Sequence, residues 1–171
     1  MRTYADIQGN VLRGYASHLH AAYLLVSVGD DAEQARVLLA RLVDEDQIAT
    51  EQDWGEPPAT RLNVALTYPG LQRLGVDLTP FAQYEDFREG MYERARAHLG
   101  DLGDNDPREW DEPLRTGVDL IFTVYGLTPE QRTSAAEQLE TKLHGAGMRI
   151  VHRQGADMLE DGREHFGFAD G

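Results

Sequence analysis

The fold is decided by residues 118–131, VDLIFTVYGLTPEQ. The first part of this segment predicts a β-strand, because large apolar side chains alternate along it and occupy both of its faces. One face carries Leu120, Phe122 and Val124, and the other carries Ile121 and Tyr125. We therefore expect both faces of the sheet that contains this strand to be removed from water.

The residues after this strand predict a helix with a well-defined start. Thr128 suits the N-cap, Pro129 the first helical position and Gln131 the third, and this combination is a strong helix-start signal. Small and aliphatic residues then recur at helical spacing and form the apolar stripe of this helix, which ends at Gly145 or Gly147.

The rest of the chain supplies three more strands and a second helix. Residues 21–28 predict a strand with two apolar faces, and residues 31–48 predict an amphipathic helix whose first turn is capped by Asp30. Residues 62–68 alternate apolar with small or polar side chains, which predicts a half-buried strand. A last strand is predicted over 148–153, with one face formed by Met148, Ile150 and His152.

A helical insertion of about 50 residues separates the second and third strands. Its main feature is a helical stripe over residues 80–99, which we expect to be core rather than a cofactor site. The stripe consists of Phe81, Tyr84, Phe87, Met91, Ala95 and Leu99. Residues 101–115 are loop-like in composition.

Without the insertion the order of elements is βαββαβ, which is the ferredoxin-like plan. We therefore predict an α+β fold, a single ferredoxin-like domain over residues 1–171 with an antiparallel sheet and a helical insertion between its second and third strands. Two helices cover one face of such a sheet. The other face carries Tyr, Leu, Ile and Val side chains, so we expect it to pack against a second domain, a second copy or the insertion.

Composition excludes several classes of function. The chain has 16 Lys and Arg against 30 Asp and Glu, a net charge of −14, which disfavours binding to nucleic acid or to an anionic membrane. It has no cysteine, so disulfides, thiolate-ligated metals and cysteine nucleophiles are excluded. Its apolar runs are too short to span a bilayer and no secretory signal is visible at its start, so we expect a cytoplasmic protein.

The C-terminal residues 166–171, FGFADG, combine the features of a proton-transfer site. Asp170 lies between two glycines, which allow a sharp turn or close approach of the backbone to a flat ligand. Two phenylalanines precede it, and apolar walls of this kind raise the pKa of a carboxyl group by desolvation. That would suit a proton shuttle. On spacing alone, however, the favoured interpretation is a glycine-rich turn capped by an aspartate.

These residues resemble the GxxDG motif of the dye-decolorizing (DyP-type) haem peroxidases. Three other parts of the chain resemble the same family in the same order, so the resemblance covers essentially the whole chain. They are DIQGN at 6–10, LNVALT at 62–67, and the insertion residues at 87–91, 94–95 and 99–101.

The resemblance implies an enzyme that reduces hydrogen peroxide while oxidising dyes, phenols and similar aromatic donors. Family members have two ferredoxin-like halves and bind haem b mainly through the second half. Asp170 matches the distal aspartate, which takes a proton from peroxide and delivers it to the leaving oxygen. Gly167 and Gly171 would shape the loop over the haem, with Phe168 and Ala169 beside it.

The resemblance also implies a partner. The family's proximal histidine and distal arginine lie downstream of the GxxDG motif, and no residue of this chain is assigned to either role or to a metal. We therefore expect a C-terminal half or a second chain on the open sheet face, and a homo-oligomer. The alternative is a non-catalytic ferredoxin-like module that dimerises or binds a ligand through this face.

Other polar and aromatic residues are weaker candidates. The histidines could in principle ligate a metal, but we expect them to be hydrogen-bonded or partly exposed. The aspartates at 101, 104 and 106 do not fit a cation-binding loop, and we expect packing rather than electron transfer from the tryptophans. These candidates are His18, His20, His152, His165, Asp101, Asp104, Asp106, Trp54 and Trp110.

Overall fold

The computed structural model describes residues 6–12, 14–50, 56–115, 117–159, 163 and 165–168. Its strands are β1 (His20–Ser27), β2 (Thr60–Leu66), β3 (Leu120–Gly126) and β4 (Arg149–Asp157). Its α-helices are α1 (Gly9–Leu12), α2 (Ala32–Asp44), α3 (Tyr68–Arg73), α4 (Glu85–Arg94), α5 (Glu112–Arg115) and α6 (Pro129–Gly145).

The four strands form one antiparallel sheet in the order β2-β3-β1-β4. Helix α2 connects β1 to β2, and helix α6 connects β3 to β4. Each crossover leaves room for one antiparallel strand between the two strands that it joins, so the two βαβ units interlock. This confirms the predicted α+β, ferredoxin-like plan with an insertion between the second and third strands.

The core lies between one sheet face and helices α2 and α6. The central strands contribute Leu24 and Phe122, both fully buried, and α6 contributes the fully buried Leu143. Burial of one such side chain stabilises the fold by about 1.5–3 kcal/mol. The core also includes Ala22, Val26, Val28, Ala35, Leu38, Leu42, Leu120, Val124, Ala136, Leu139 and Met148.

The starts of the two helices show how far local sequence determines their caps. Thr128 caps α6 as predicted, with its hydroxyl accepting from the Gln131 amide while the Gln131 side chain accepts from the Thr128 amide. For α2 the predicted cap was wrong by one residue. Asp31, not Asp30, accepts from the Glu33 and Gln34 amides. Either aspartate has the required chemistry, so only the backbone path distinguishes them.

The last strand is longer than predicted, and one of its residues lies on the opposite face of the sheet from the one predicted. Strand β4 continues to Asp157, and its pairing with β1 shifts register between Leu25 and Val26. Ile150 is therefore opposite Val26, on the helix side, whereas His152 is opposite Leu25, on the other side. Strict alternation predicted one face for Ile150 and His152, and the irregularity places them on opposite faces.

The insertion is not the continuous buried helix that its apolar stripe predicted. Helix α4 contains a non-helical residue, Gly90, with φ 74° and ψ 175°, and it continues into a π-helical turn at Ala95–Leu99. Of the six stripe residues only Ala95 is buried, and the side chains of Met91 and Leu99 are 69% and 65% exposed. The expectation that this stripe is core was wrong, because the glycine interrupts its helical phase.

A buried carboxylate organises the loop that closes the insertion. Asp106 accepts from the Arg108 side chain through both oxygens, at 2.9 Å each, and lies 3.1 Å from Nε of Arg96. These bonds, led by those to Arg108, lower the pKa of Asp106 to about 2. The partners of Asp106 are arginines, so this part of the acidic loop is an ion-pair cluster and not a cation site.

Asp119 joins β1, β3 and α3 at the end of the sheet. Its side chain is 1% exposed and accepts from the Val28 amide at 2.9 Å, with Nε of Arg73 3.4 Å from its other oxygen. Its carbonyl oxygen accepts from the amide of Thr67, the residue that caps α3. A Cβ at Gly70 would lie 2.0 Å from that same carbonyl oxygen, so α3 packs on this junction only with glycine at position 70.

Among the helices that the structure describes, none combines the length and apolar content needed to cross a membrane.

We predict that Gly70→Ala destabilises the chain by about 1–3 kcal/mol or more, because helix α3 must move off the Asp119 carbonyl. Urea denaturation followed by circular dichroism measures this change. The matched control is Gly145→Ala at the end of α6, where a Cβ meets nothing within 4 Å and where alanine favours the helix. Equal midpoints for the two variants would show that the close approach at Gly70 does not constrain the fold.

Candidate functional site

The structure describes part of the predicted C-terminal site. Gly167 and Phe168 lie within the described residues, whereas Ala169, Asp170 and Gly171 lie outside them. Gly167 has a φ of +87°, a conformation that glycine adopts without strain. Its carbonyl oxygen accepts a hydrogen bond from Nη1 of Arg163 at 3.2 Å, which closes a turn ahead of the aspartate.

The two phenylalanines of this segment present their rings to solvent. Phe166 is 85% exposed and Phe168 is 74% exposed. Two neighbouring exposed aromatic rings are costly in water, so an exposed pair usually marks a surface that another group covers. A flat apolar ligand or a second polypeptide would satisfy this arrangement.

The start of the C-terminal segment is attached firmly to the sheet. Asp157 ends β4, and its Oδ1 lies 2.8 Å from Nδ1 of His20 at the start of β1. Arg132 of α6 donates to the Ala21 carbonyl at 3.1 Å and approaches Asp157 to 3.9 Å. The Met158 amide then donates to the Leu19 carbonyl. The segment that carries the FGFADG residues therefore leaves the sheet from a fixed point.

The first segment of the resemblance, DIQGN, attaches the N-terminal arm (residues 6–12 and 14–18) to the edge of the sheet. The Gln8 side-chain oxygen accepts from the Val64 amide at 2.8 Å, and its NH₂ group donates to the Val64 carbonyl at 2.8 Å. Asn63 donates to the same Gln8 oxygen at 3.1 Å. The Gln8 amide thus occupies the hydrogen-bonding position of a further strand beside β2.

Gly9 allows this attachment. Its amide donates to the Ala49 carbonyl at 3.1 Å, and a Cβ at this position would lie 2.8 Å from the hydroxyl of Tyr15. Sequence reasoning found the DIQGN residues only through the family resemblance and gave them no physical role. A side-chain amide that pairs with a distant strand leaves no periodic signal in the sequence.

The same arm covers part of the open sheet face. Tyr15 packs edge-on against Tyr125 of β3, with ring centroids 5.0 Å apart, and the Arg61 guanidinium lies 4.4 Å from the centre of the Tyr15 ring. Burial, together with nearby Tyr23 and Tyr15, raises the pKa of the Tyr125 phenol. The open face is therefore partly covered near β2 and β3 by the N-terminal arm.

The candidate histidines have separate surroundings. His18 is buried and its Nε2 donates to the Pro58 carbonyl at 2.8 Å, whereas the neighbouring His20 bonds to Asp157. His152 is half-buried on the open face of the sheet, and His165 is exposed in the C-terminal turn. Within the described ranges, no three histidine or carboxylate side chains come together in a way that could hold a metal ion.

Trp110 packs within the insertion. Trp110 packs edge-on against Tyr92 with centroids 6.1 Å apart, and its indole N–H donates to the Asn105 carbonyl at 3.2 Å. These contacts belong to the insertion and agree with a packing role. Trp54 lies outside the described residues.

Comparison with known families identifies the group to which this chain belongs. The family described as the DyP dimeric alpha+beta barrel domain matches residues 6–157. The chain belongs to this family. The DyP match begins at the N-terminal arm and ends at the last residue of β4, so it covers the sheet, both long helices and the insertion. It stops before the FGFADG residues.

Two curated relatives are named as dye-decolorizing peroxidases. The dye-decolorizing peroxidase msp1 of Mycetinis scorodonius is 29% identical over 97% of this chain, which corresponds to 32% of the relative's length. The dye-decolorizing peroxidase of Mycena epipterygia is 32% identical over 67% of this chain and 21% of its own length. The chain thus spans about a third or less of the curated DyP relatives that it matches.

Solved structures show the same fold. A crystal structure of DyP matches with a TM-score of 0.83 at 22% identity, covering 100% of this chain and 37% of that one. A DyP in complex with 2,6-dimethoxyphenol matches with a TM-score of 0.81, again at 22% identity, over 100% of this chain and 38% of that one. A fungal DyP-type peroxidase from Auricularia auricula-judae matches with a TM-score of 0.81 at 21% identity, over 98% of this chain and 37% of that one.

We predict that replacing both Phe166 and Phe168 by serine leaves the stability of the chain within about 0.5 kcal/mol of its original value, because neither ring is part of the core. The same change should lower the fluorescence of a bound apolar dye such as ANS. The matched control is Phe122→Ser, which empties the centre of the core and should unfold the chain. Strong destabilisation by the double change would mean that the rings hold the fold together.

Proposed function

We propose that this chain forms the distal-side half of a haem peroxidase that reduces hydrogen peroxide and oxidises an aromatic donor, with Asp170 as its acid–base group. The observation that carries the proposal is the DyP family match over residues 6–157, followed by the GxxDG motif at 167–171. The names of both curated relatives support the peroxidase activity.

The residues that the structure describes fit a haem. A porphyrin is a flat and mostly apolar disc, and Phe166 and Phe168 provide exposed apolar rings directly before Asp170. The turn at Gly167 lets the backbone come close to such a surface. In this proposal Gly167, Phe168, Ala169, Asp170 and Gly171 contact haem b from its distal side. The residue that holds the haem iron would come from the rest of a longer protein.

Bound haem b would supply the redox-active iron at which peroxide is reduced. The Asp170 carboxylate would take a proton from one oxygen of hydrogen peroxide and return it to the oxygen that leaves as water. This role requires a carboxylate that is ionised when peroxide arrives and that holds a proton before the O–O bond breaks. In this proposal the phenylalanines that precede Asp170 in the sequence would reduce the hydration of its carboxylate and bring its two protonation states closer in free energy.

The electron donor is proposed from its chemistry. The complex of a structurally similar DyP with 2,6-dimethoxyphenol supports a phenolic or similarly electron-rich aromatic compound. The net charge of −14 disfavours anionic donors at the protein surface, so neutral phenols are preferred here.

We predict that Asp170→Asn lowers kcat/KM for hydrogen peroxide by about 10²–10⁴-fold, because asparagine has the shape of aspartate but cannot accept the proton. The measurement uses the haem-loaded protein produced from the full reading frame that encodes this chain. The Soret absorbance of that variant should be retained.

The matched control for this experiment is Asp104→Asn, in an exposed turn of the insertion, which should leave turnover unchanged. Unaltered turnover of the Asp170 variant would remove this residue from the mechanism. Absence of both haem binding and peroxidase activity in the unsubstituted protein would overturn the proposed function itself.

The partner of the open sheet face is part of the same proposal. In a full-length enzyme the C-terminal half would cover the face that carries Tyr23 and Ile121, both half-buried in this chain. The second candidate function is a non-catalytic module that dimerises or binds a ligand through this face. It is favoured by one observation, namely that helices α2 and α6 cover only the opposite face.

We predict that the 171-residue chain alone self-associates through the open face and sediments with about twice the mass of one chain. Tyr23→Lys should shift it towards the monomer, because a charge would have to be buried. Tyr84→Lys, in the exposed part of the insertion, serves as the control and should not alter the mass. A monomer at all concentrations would contradict association through this face, and a dimer that never binds haem would favour the non-catalytic module.

A further inference from the structure

His18 is the residue that holds the end of the N-terminal arm against the domain. It is 5% exposed, its Nε2 donates to the Pro58 carbonyl at 2.8 Å, and its Nδ1 lies 3.1 Å from the Ser17 hydroxyl. Because a carbonyl oxygen only accepts, Nε2 carries the hydrogen. Nδ1 of a neutral ring then accepts from Ser17.

The surroundings of His18 favour a neutral imidazole. Burial lowers the pKa of His18, the bond to the Pro58 carbonyl opposes this in part, and the positive charge of Arg61 lowers it further. Arg61 projects from β2 and lies over the Tyr15 ring, whose other neighbour is the His18 ring at 6.0 Å. The Tyr15 phenol is a further titratable group on the ring that faces the imidazole.

Several attachments of the arm do not titrate near neutral pH. They include the amide pairing of Gln8 with Val64, the backbone bond from Gly9 to Ala49, and the edge-on packing of Tyr15 against Tyr125. The contact made by His18 differs from these, because an imidazole can gain a proton in mild acid.

From this arrangement we propose that the N-terminal arm is an acid-released strap, held over Tyr125 and the β2 edge by neutral His18 and loosened when His18 is protonated beside Arg61. This proposal is independent of the peroxidase function. Its consequence is that mild acid uncovers more of the open sheet face, and with it the surface available to a second polypeptide.

The direction of the pH effect follows from the two states of the arm. In the released arm His18 is hydrated and has the ordinary histidine pKa of about 6.5, whereas in the closed arm its pKa is lower. The released state therefore binds more protons below about pH 6.5. Above that pH the closure equilibrium is at its most favourable and does not depend on His18. Below it, closure weakens by up to about tenfold per pH unit, until the pH reaches the lower pKa of the closed arm.

Amide hydrogen exchange of the 171-residue chain at about pH 7.5 and about pH 5.5 tests the strap, with each rate corrected for intrinsic exchange. Peptides that contain Gly9 and Val64 should lose protection by up to about tenfold at the lower pH. Peptides from the centre of β3 should keep theirs.

His18→Gln separates the charge from the contact, because its side-chain amide can donate to the Pro58 carbonyl but does not titrate. In this variant the arm should show the same protection at both pH values. The matched control is His144→Gln, an exposed histidine in the last turn of α6, which should retain the pH dependence of the original chain.

If His18→Gln does not fold, a second measurement on the unsubstituted chain tests the proposal. Titration of the His18 ring by NMR in the unsubstituted chain should give a midpoint below 6.5 that coincides with the loss of arm protection. Equal pH dependence in the His18→Gln variant, or a His18 midpoint that does not coincide with arm release, would overturn the proposal.

Discussion

The structure depends on one constraint, which is that a single sheet has apolar side chains on both faces and only two long helices to cover them. Helices α2 and α6 bury Leu24, Phe122 and their neighbours on one side. On the other side the chain supplies Tyr15 and the rest of the N-terminal arm, which reach the part of the face near Tyr125. The matching family is described as a dimeric alpha+beta barrel domain, and the curated relatives are about three or more times as long as this chain. Both facts agree with a sheet face that packs against another polypeptide segment.

Much of the fold could be predicted from the sequence because its signals are local. Alternation over residues 118–125 and the capping box at Thr128 depend on neighbours a few positions apart, and both were correct. The errors arose where one residue changes the phase of a pattern. A register irregularity opposite Leu25 turned His152 to the other face, and Gly90 interrupted the insertion helix so that Met91 became exposed.

The candidate site was predicted in a different way. The FGFADG residues were found through their spacing and their resemblance to a family, and the structure adds that Phe166 and Phe168 are exposed beside a turn at Gly167. The roles of Gln8 and His18 could not have been predicted, because each bonds to backbone about 40 or more residues away. A contact of this kind is set by how the elements pack, and no short window of sequence contains both partners.

The pairing of the Gln8 amide with Val64 has a consequence for edge-to-edge association between sheets of different molecules. An outermost strand with free N–H and C=O groups is a template on which another extended chain can grow, and such growth leads to fibrils. Here the side-chain amide of Gln8 takes the place of a peptide group of an added strand. It bonds to both the N–H and the C=O of Val64, in the middle of β2. An incoming peptide must first displace that amide, so the two hydrogen bonds of Gln8 hinder edge-to-edge pairing at β2.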